Sequence, residues 1–288
     1  MLGSILEEIV TRYEGRRRDA LLPLLWDVQT AFGHVSPEAV RAISHTLRVP
    51  EADIYGVISF YTLFYDQPTA ETTVRICADP SCALAGADDV LAALDARAEA
   101  ALTVERCTCI GLCDRAPAAL ISRRGQGESA HAPASDLDAL LGGDAQAVSH
   151  VGGTVRVLLD GLTPGRAQTL AEYGDYAALR HAVASAPAAV IAQIQASGLI
   201  GRGGAAFPTG VKWDSARKAE ATPHYVVCNA DESEPGTFKD RVLLEGRPHL
   251  LLEGIALCGY AIGAQQGYLF VRGEYPEAAR SLQAAIDE

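Results

Sequence analysis

Thr72-Thr73-Val74-Arg75-Ile76-Cys77-Ala78-Asp79-Pro80-Ser81-Cys82 decides the fold of the first half of the chain. Thr72 to Ile76 reads as a strand that delivers Cys77 into a turn. Leu102 to Glu105 is a second strand, and it leads to Cys109-Ile110-Gly111-Leu112-Cys113. Grouped thiols in a chain with no export signal read as metal ligands, not as a disulfide frame. Two pairs on separate turns can close the four-thiolate cage that an iron–sulfur cluster requires. No His flanks either pair, which excludes a mixed Cys/His zinc finger. A four-Cys zinc site stays open behind a two-iron cluster. Cys107 adds a third thiol to the second turn. Strand alternation puts it on the same side as Cys109, so spacing alone leaves the ligand set open. Gly111 lets this turn close tightly.

Outward from these turns the chain reads as α/β. Residues 1–70 form a helical bundle, in which Leu21, Leu22, Leu25, Val28 and Phe32 recur at helical spacing and Gly33 stops the helix. Ser36-Pro37 opens a second helix that runs to Leu47. Residues 71–142 form a small α/β layer with a helix over 83–98 and a third strand at Ala118 to Ser122. Gly125-Gln126-Gly127 makes a hairpin-like turn. Residues 143–153, rich in Gly, Ser and Asp, form a linker. Residues 154–288 return to α/β. Strands are expected at Val155–Asp160, Tyr225–Asn229 and Tyr268–Arg272. Helices are expected at Tyr176–Ser185, Pro187–Ser197, Val211–Ala219, Leu250–Ile262 and Pro276–Ile286.

Composition narrows the function. The 288 residues are 49% hydrophobic and 21% charged, as in ordinary globular domains, so disorder is not expected. A net charge of −12 argues against nucleic acid and anionic membrane as partners. Acidic residues interrupt the N-terminal apolar run at once, unlike a signal peptide. The apolar stretch Gly254 to Ala264 is too short to span a bilayer, which needs about 20 residues. A cytoplasmic protein with reduced thiols is expected.

The second informative stretch is Gly201-Arg202-Gly203-Gly204-Ala205-Ala206-Phe207-Pro208-Thr209-Gly210-Val211-Lys212-Trp213. It contains G-x-G-x-x-A, but it follows a helical segment ending at Gly198 and not the strand a dinucleotide fingerprint requires. No Gly-Lys-Ser/Thr follows, so it is not a Walker loop. Its chemistry still suits an anion. The glycines let a ligand approach the backbone, successive amides can face it, and Arg202 and Lys212 supply positive charge. Phe207 can stack on a flat ring. Beyond the strand at Tyr225 comes Asn229-Ala230-Asp231-Glu232-Ser233-Glu234-Pro235-Gly236-Thr237-Phe238-Lys239-Asp240-Arg241, polar groups where α/β sheets bind ligands. Taken alone, this segment reads as a solvated acidic loop ahead of a binding loop.

Both halves carry a resemblance. Cys77-x4-Cys82 followed by Cys109-Ile-Gly-Leu-Cys113-Asp-Arg-Ala-Pro117 resembles the thioredoxin-like [2Fe-2S] subunit of respiratory complex I and its relatives. The likeness covers roughly residues 15–140 and includes Gln29-Thr-Ala-Phe-Gly33 and Ile54-Tyr-Gly-Val-Ile-Ser-Phe-Tyr61. It implies a [2Fe-2S] cluster on Cys77, Cys82, Cys109 and Cys113, with Cys107 as a neighbour. The glycine loop, Val226-Val-Cys-Asn229 and Tyr268-Leu-Phe-Val-Arg-Gly-Glu-Tyr275 resemble the flavin-binding subunit of complex I. That likeness implies FMN held by Gly201, Arg202, Gly203, Gly204, Lys212, Asn229, Asp231, Glu232 and Ser233. Phe207 and Glu234 then approach NAD. Ala206 departs from the pattern, since many members have glycine there.

The fused order is similar to the β subunit of NAD-dependent molybdenum or tungsten formate dehydrogenase and to the flavin subunit of NAD-reducing hydrogenase. The resemblance implies a diaphorase that moves electrons between NAD(H), FMN and iron–sulfur clusters. Its expected partners are iron–sulfur and molybdenum or tungsten formate dehydrogenase subunits, or those of a hydrogenase or complex I. The flavin subunits of this family continue past the point that corresponds to Glu288, so a C-terminally incomplete chain is expected. A non-enzymatic [2Fe-2S] electron-transfer and docking subunit is the alternative from a different class.

Overall fold

The computed structural model describes residues 2–97, 102–143 and 151–288. They fall into two compact units, Met1–Ala147 with Glu234–Gly236, and Val148–Ser233 with Thr237–Glu288. Most of the expected linker at 143–153 lies outside the described residues.

The first unit opens with four helices, α1 (Leu2–Thr11), α2 (Leu21–Phe32), α3 (Pro37–Leu47) and α4 (Glu51–Phe60). Leu21, Leu24, Leu25 and Val28 of α2 recur at helical spacing and bury against Val40 and Ile43 of α3 and Ile54 of α4. Gly33, at φ 77°, ends α2 and returns its N–H to Gln29. The Ser36 hydroxyl accepts the Ala39 N–H at 3.2 Å and Pro37 occupies the first helical position, so α3 starts where its cap dictates.

The α/β layer follows: β1 (Thr72–Cys77), α5 (Pro80–Leu84), α6 (Ala87–Arg97), β2 (Leu102–Cys107), β3 (Ala119–Arg123), β4 (Gly127–His131) and α7 (Leu137–Gly142). The strand order is β2-β1-β3-β4. β1 and β2 run parallel with Cys77 opposite Cys107, while β3 and β4 are antiparallel. Central β1 is buried from Thr73 onward. Val90, Leu91 and Leu94 of α6 join its core. The single helix expected over 83–98 is two, because Gly86 at φ 88° breaks the chain between α5 and α6.

Arg75, on this central strand, is buried and hydrogen-bonded through two of its nitrogens. Its Nε donates to the Tyr65 hydroxyl at 2.9 Å and its Nη1 to the Ser122 hydroxyl at 2.7 Å. Tyr65 donates in turn to Glu105 at 2.5 Å. Such partners make a buried guanidinium tolerable.

The second unit contains α8 (Leu170–Tyr173), α9 (Ala177–Val183), α10 (Pro187–Ala196), α11 (Thr209–Arg217), β5 (His224–Ala230), α12 (Lys239–Gly246), α13 (Pro248–Ile262), β6 (Ala264–Val271) and α14 (Pro276–Asp287). β5 and β6 pair in parallel. The side chain of Val226 and that of Ile255 on α13 approach Gly259 and Gly267 respectively, so α13 lies on one face of the pair.

Three expectations are corrected here. Val155–Asp160 forms no strand. Alternation cannot make one without a hydrogen-bonded neighbour, and Val155 and Val157 are 84% and 80% exposed. β6 begins at Ala264 rather than Tyr268, because Gly263 at φ 73° ends α13 and turns directly into the strand. The polar stretch after Asn229 is also not all loop, since α12 starts at Lys239. No helix among the described residues is long and apolar enough to cross a membrane.

Gly210 fixes the approach of α10 to α11. A Cβ there would lie 2.5 Å from Gln195 Cγ and 2.7 Å from Gln195 N. Part of that obstacle is backbone, so the helices must separate to admit a methyl group. Gly210→Ala is therefore expected to destabilise the second unit by about 1–3 kcal/mol, despite the better helix propensity of alanine. Urea unfolding of the variant beside the parent protein checks this, and an unchanged midpoint would contradict it.

Candidate functional site

The parallel register brings two turns together at the end of the first unit's sheet. Cys77 closes β1, Cys82 sits in α5, and Cys109 and Cys113 lie in the turn after β2. The Ala78 N–H donates to the Cys107 carbonyl at 3.0 Å and the Cys77 N–H to the Ala118 carbonyl at 3.0 Å, which fixes the base of both turns. Cys109 Sγ and Cys113 Sγ are 3.3 Å apart. Cys77, Cys82 and Cys109 are buried, Cys113 is half-buried, and none is in a disulfide. Gly111, at φ 71°, folds its N–H back onto Cys109 Sγ at 3.4 Å.

The thiols perturb one another. A hydrogen bond with Cys77 lowers the Cys82 thiol, whereas the Cys77 contact and burial push Cys109 up. Burial, then the Cys109 contact, raises Cys113. Four acidic groups this crowded cannot all ionise on their own. Iron neutralises four thiolates at once, and the all-sulfur donor set fits a [2Fe-2S] cluster. Cys107 packs against the domain core. The alternation that put it beside Cys109 does not hold, because β2 ends at Cys107.

The second unit holds a cleft of about 450 Å³ lined by Gly201, Gly203, Phe207, Lys212, Trp213 and Tyr225, among others. That volume is in the range of small-molecule sites. The Gly201 N–H donates to the Phe207 carbonyl at 2.8 Å and the Thr209 N–H to the Leu199 carbonyl at 2.9 Å, pinching the glycine loop shut at its base. Among the described residues the amides of Arg202 through Ala206 have no backbone acceptor. The loop is exposed, and Gly204 and Ala206 take positive φ, 102° and 52°. Arg202 and Lys212 form no ion pair among the described residues. Exposed amides beside two cations suit a phosphate, and Phe207 and Trp213 offer ring faces, so the cleft fits FMN. Burial pushes the Cys258 thiol, also in the cleft, up to about 11, with Lys212 opposing.

The polar segment after β5 is organised differently. Asn229 Oδ1 accepts the Asp231 N–H at 3.2 Å, and Ser233 donates to Asp231 Oδ1 at 2.6 Å. Asn229, Asp231 and Ser233 are exposed. Glu232 is only 3% exposed. Its carboxylate accepts the N–H groups of Lys239, Asp240 and Arg241 at 2.9 to 3.1 Å, and the Tyr275 hydroxyl at 3.1 Å. Glu232 thus caps α12 from within, and Arg272 Nη1 holds its main-chain carbonyl at 2.5 Å. These four residues do not line the cleft, whereas Gly201, Gly203, Phe207 and Lys212 do. Arg202 and Gly204 belong to the same loop. Glu234, grouped with the first unit, is exposed. Sequence reasoning gave no site role to Trp213, Tyr225 or Cys258. The helical offset of Trp213 from Thr209 was the one available signal.

Comparison with known proteins sharpens this picture. Residues 6–137 match the thioredoxin-like [2Fe-2S] ferredoxin family, and residues 194–288 match the Nuo51 FMN-binding domain. The chain is 32% identical over 320 aligned positions to the NAD-reducing hydrogenase HoxS subunit alpha of Cupriavidus necator, covering 100% of this chain and 51% of that protein. It is 48% identical over 138 residues to an NADH-quinone oxidoreductase subunit of Aquifex aeolicus, covering 47% of this chain and 32% of that protein. A crystal structure of NAD+-reducing [NiFe]-hydrogenase in the air-oxidised state matches with a TM-score of 0.78 at 30% identity, over 93% of this chain and 48% of that one. The chain therefore spans about half the length of these hydrogenase relatives. With its sulfur cage and glycine cleft falling inside the two matched segments in that order, the chain joins a segment that matches the thioredoxin-like [2Fe-2S] ferredoxin family to one that matches the Nuo51 FMN-binding domain.

Proposed function

We propose that the chain is the NAD(H)-handling part of an NAD-linked oxidoreductase, and specifically of the β subunit of an NAD-dependent formate dehydrogenase. The observation that carries the diaphorase reading is the presence, on one chain, of a four-thiol cage and an anion-receptive glycine cleft. FMN, when bound, supplies the exchange between the electron pair of a nicotinamide and the single electrons of an iron–sulfur cluster.

The chain's own residues position and polarise. The glycine-loop amides, Arg202 and Lys212 hold the phosphate. Phe207 flanks the nucleotide, and the family resemblance assigns Asn229, Asp231 and Ser233, which follow β5 outside the cleft lining, to the flavin's polar groups. Glu232 acts through the loop it anchors. Glu234 and Phe207 receive NAD. No side chain is assigned a proton-transfer step. Cys77, Cys82, Cys109 and Cys113 bind the cluster.

The fused order of the two domains supports the formate reading and is shared by NAD-reducing hydrogenase. The full-chain similarity to the hydrogenase HoxS subunit supports a second reading, in which hydrogen is the donor. The subunits that co-purify decide between them: a molybdopterin protein supports formate, and a nickel–iron protein supports hydrogen. In both readings the protein works in the cytoplasm with reduced thiols.

The full-length, FMN-loaded protein is expected to reduce ferricyanide with NADH. Turnover no higher than in a Lys212→Ala control would reject the diaphorase reading. Lys212→Ala itself removes a charge-assisted contact of about 1.5–3 kcal/mol, so FMN should bind roughly 10- to 150-fold more weakly. Flavin fluorescence titration measures that loss. Serine at any of Cys77, Cys82, Cys109 or Cys113 is expected to abolish or alter the [2Fe-2S] electron paramagnetic resonance signal, while Cys107→Ser leaves it intact. Loss of the signal in the Cys107 variant would reopen the ligand set.

A further inference from the structure

A carboxylate lies beside two sulfurs of the cage. An Asp79 side-chain oxygen and the Sγ atoms of Cys77 and Cys109 all fall within 4.8 Å of one another. Asp79 is also the N-cap residue of α5, the helix that carries Cys82. An aspartate in that position ordinarily turns its carboxylate onto the first amides of its own helix. Here it makes no such bond. Its Oδ2 instead accepts the Cys109 N–H at 2.6 Å, across to the other cysteine turn. Among the described residues Asp79 has no ion-pair partner.

We propose that Asp79 is a tuning residue that holds down the reduction potential of the [2Fe-2S] cluster. The inference rests on reading Cys77, Cys82, Cys109 and Cys113 as the ligands. Two ferric ions, two sulfides and four thiolates sum to a doubly negative unit, and the one electron added on reduction makes it triply negative. A carboxylate charge beside two ligand sulfurs opposes that electron more than it opposes the oxidised state. Hydrogen bonds to the sulfurs are a second determinant of cluster potential. The Gly111 N–H donates to Cys109 Sγ and favours the reduced state. The Cys109 N–H is directed to the Asp79 carboxylate. The Asp79 backbone N–H, which hydrogen-bonds Cys77 and favours the thiolate, acts the other way, and substitution of the side chain leaves it in place, so a side-chain variant reads the carboxylate charge.

Asp79→Asn isolates the charge, because its amide oxygen can still accept the Cys109 N–H. A redox titration of the full-length protein, poised with dithionite and followed by electron paramagnetic resonance, reads the result. The expected outcome is an intact cluster whose reduction equilibrium shifts at least tenfold toward the reduced form, about 59 mV for a one-electron couple. An unshifted midpoint in a fully loaded Asp79→Asn protein overturns the assignment while leaving the ligand reading intact. If Asp79→Asn does not load, Asp79→Ser, smaller and also uncharged, takes its place and should show the same shift. Failure of both to load, under anaerobic reconstitution that loads the parent protein, makes Asp79 a ligand or a structural anchor and overturns the tuning role. Survival of the unaltered signal in Cys109→Ser would overturn the ligand reading and the Asp79 assignment together.

Discussion

The register between β1 and β2 is the constraint on which the first unit's site depends. Cys77 and Cys107 are partners across a parallel pair, so both chains leave the sheet at the same edge and in the same direction. Only a parallel pairing does this without a hairpin, and the intervening α5 and α6 are the crossover it needs. A slip of one residue would exchange the two faces of β1. Its residues from Thr73 to Cys77 are buried, and Arg75 has its fixed partners Tyr65 and Ser122 on one side. A slipped strand would lose these hydrogen bonds and leave a buried charge unpaired. The polar network that positions Arg75 therefore also fixes where the thiol of Cys77 emerges.

How much of this was legible in the sequence depended on how far apart the interacting residues lie. The four thiols could be read because cysteine has few roles and these were paired by short spacing. The bundle helices could be read because Ser36, Pro37 and Gly33 are local signals whose effects are also local. Val155–Asp160 misled because alternation describes one strand, whereas a strand needs a neighbour that no local pattern reveals. The break at Gly86 was hidden by an apolar spacing that continues across it. Asp79 could not be singled out at all, because its defining bond is to an amide 30 residues away.

The second unit shows the same division between a readable ligand loop and an unreadable support. The glycines at 201, 203 and 204 advertise a close backbone approach. The close approach of α10 to Gly210, which orients that loop, was not evident. Ala206 at φ 52° shows what the alanine does: it occupies a conformation that costs an L-residue roughly 1–2 kcal/mol and that glycine adopts freely. The loop keeps that shape because it is pinched by hydrogen bonds at both ends. Tyr225 and Val227 form part of the cleft wall and also project from the exposed face of the β5–β6 pair, beside Tyr268 and Phe270. Parallel sheets are ordinarily covered on both faces. Within the described residues, one face of this pair is packed by α13 and the other remains open, so the cleft has no cover on that side.

Two carboxylates, one in each unit, show how the same group is put to opposite uses. Glu232 is enclosed by three helix amides, the Tyr275 hydroxyl and Lys239 at 3.6 Å. Its charge is balanced where it stands, by hydrogen bonds, a cation and the positive end of α12. Little of its field extends beyond the loop it anchors, and its contribution is geometric. Asp79 accepts one amide and meets no cation among the described residues. Its charge is left facing sulfur, where a redox centre responds to every uncompensated charge near it. Burial and proximity to a cofactor thus do not by themselves assign a role to an acidic residue; the number and sign of the groups already bound to it do.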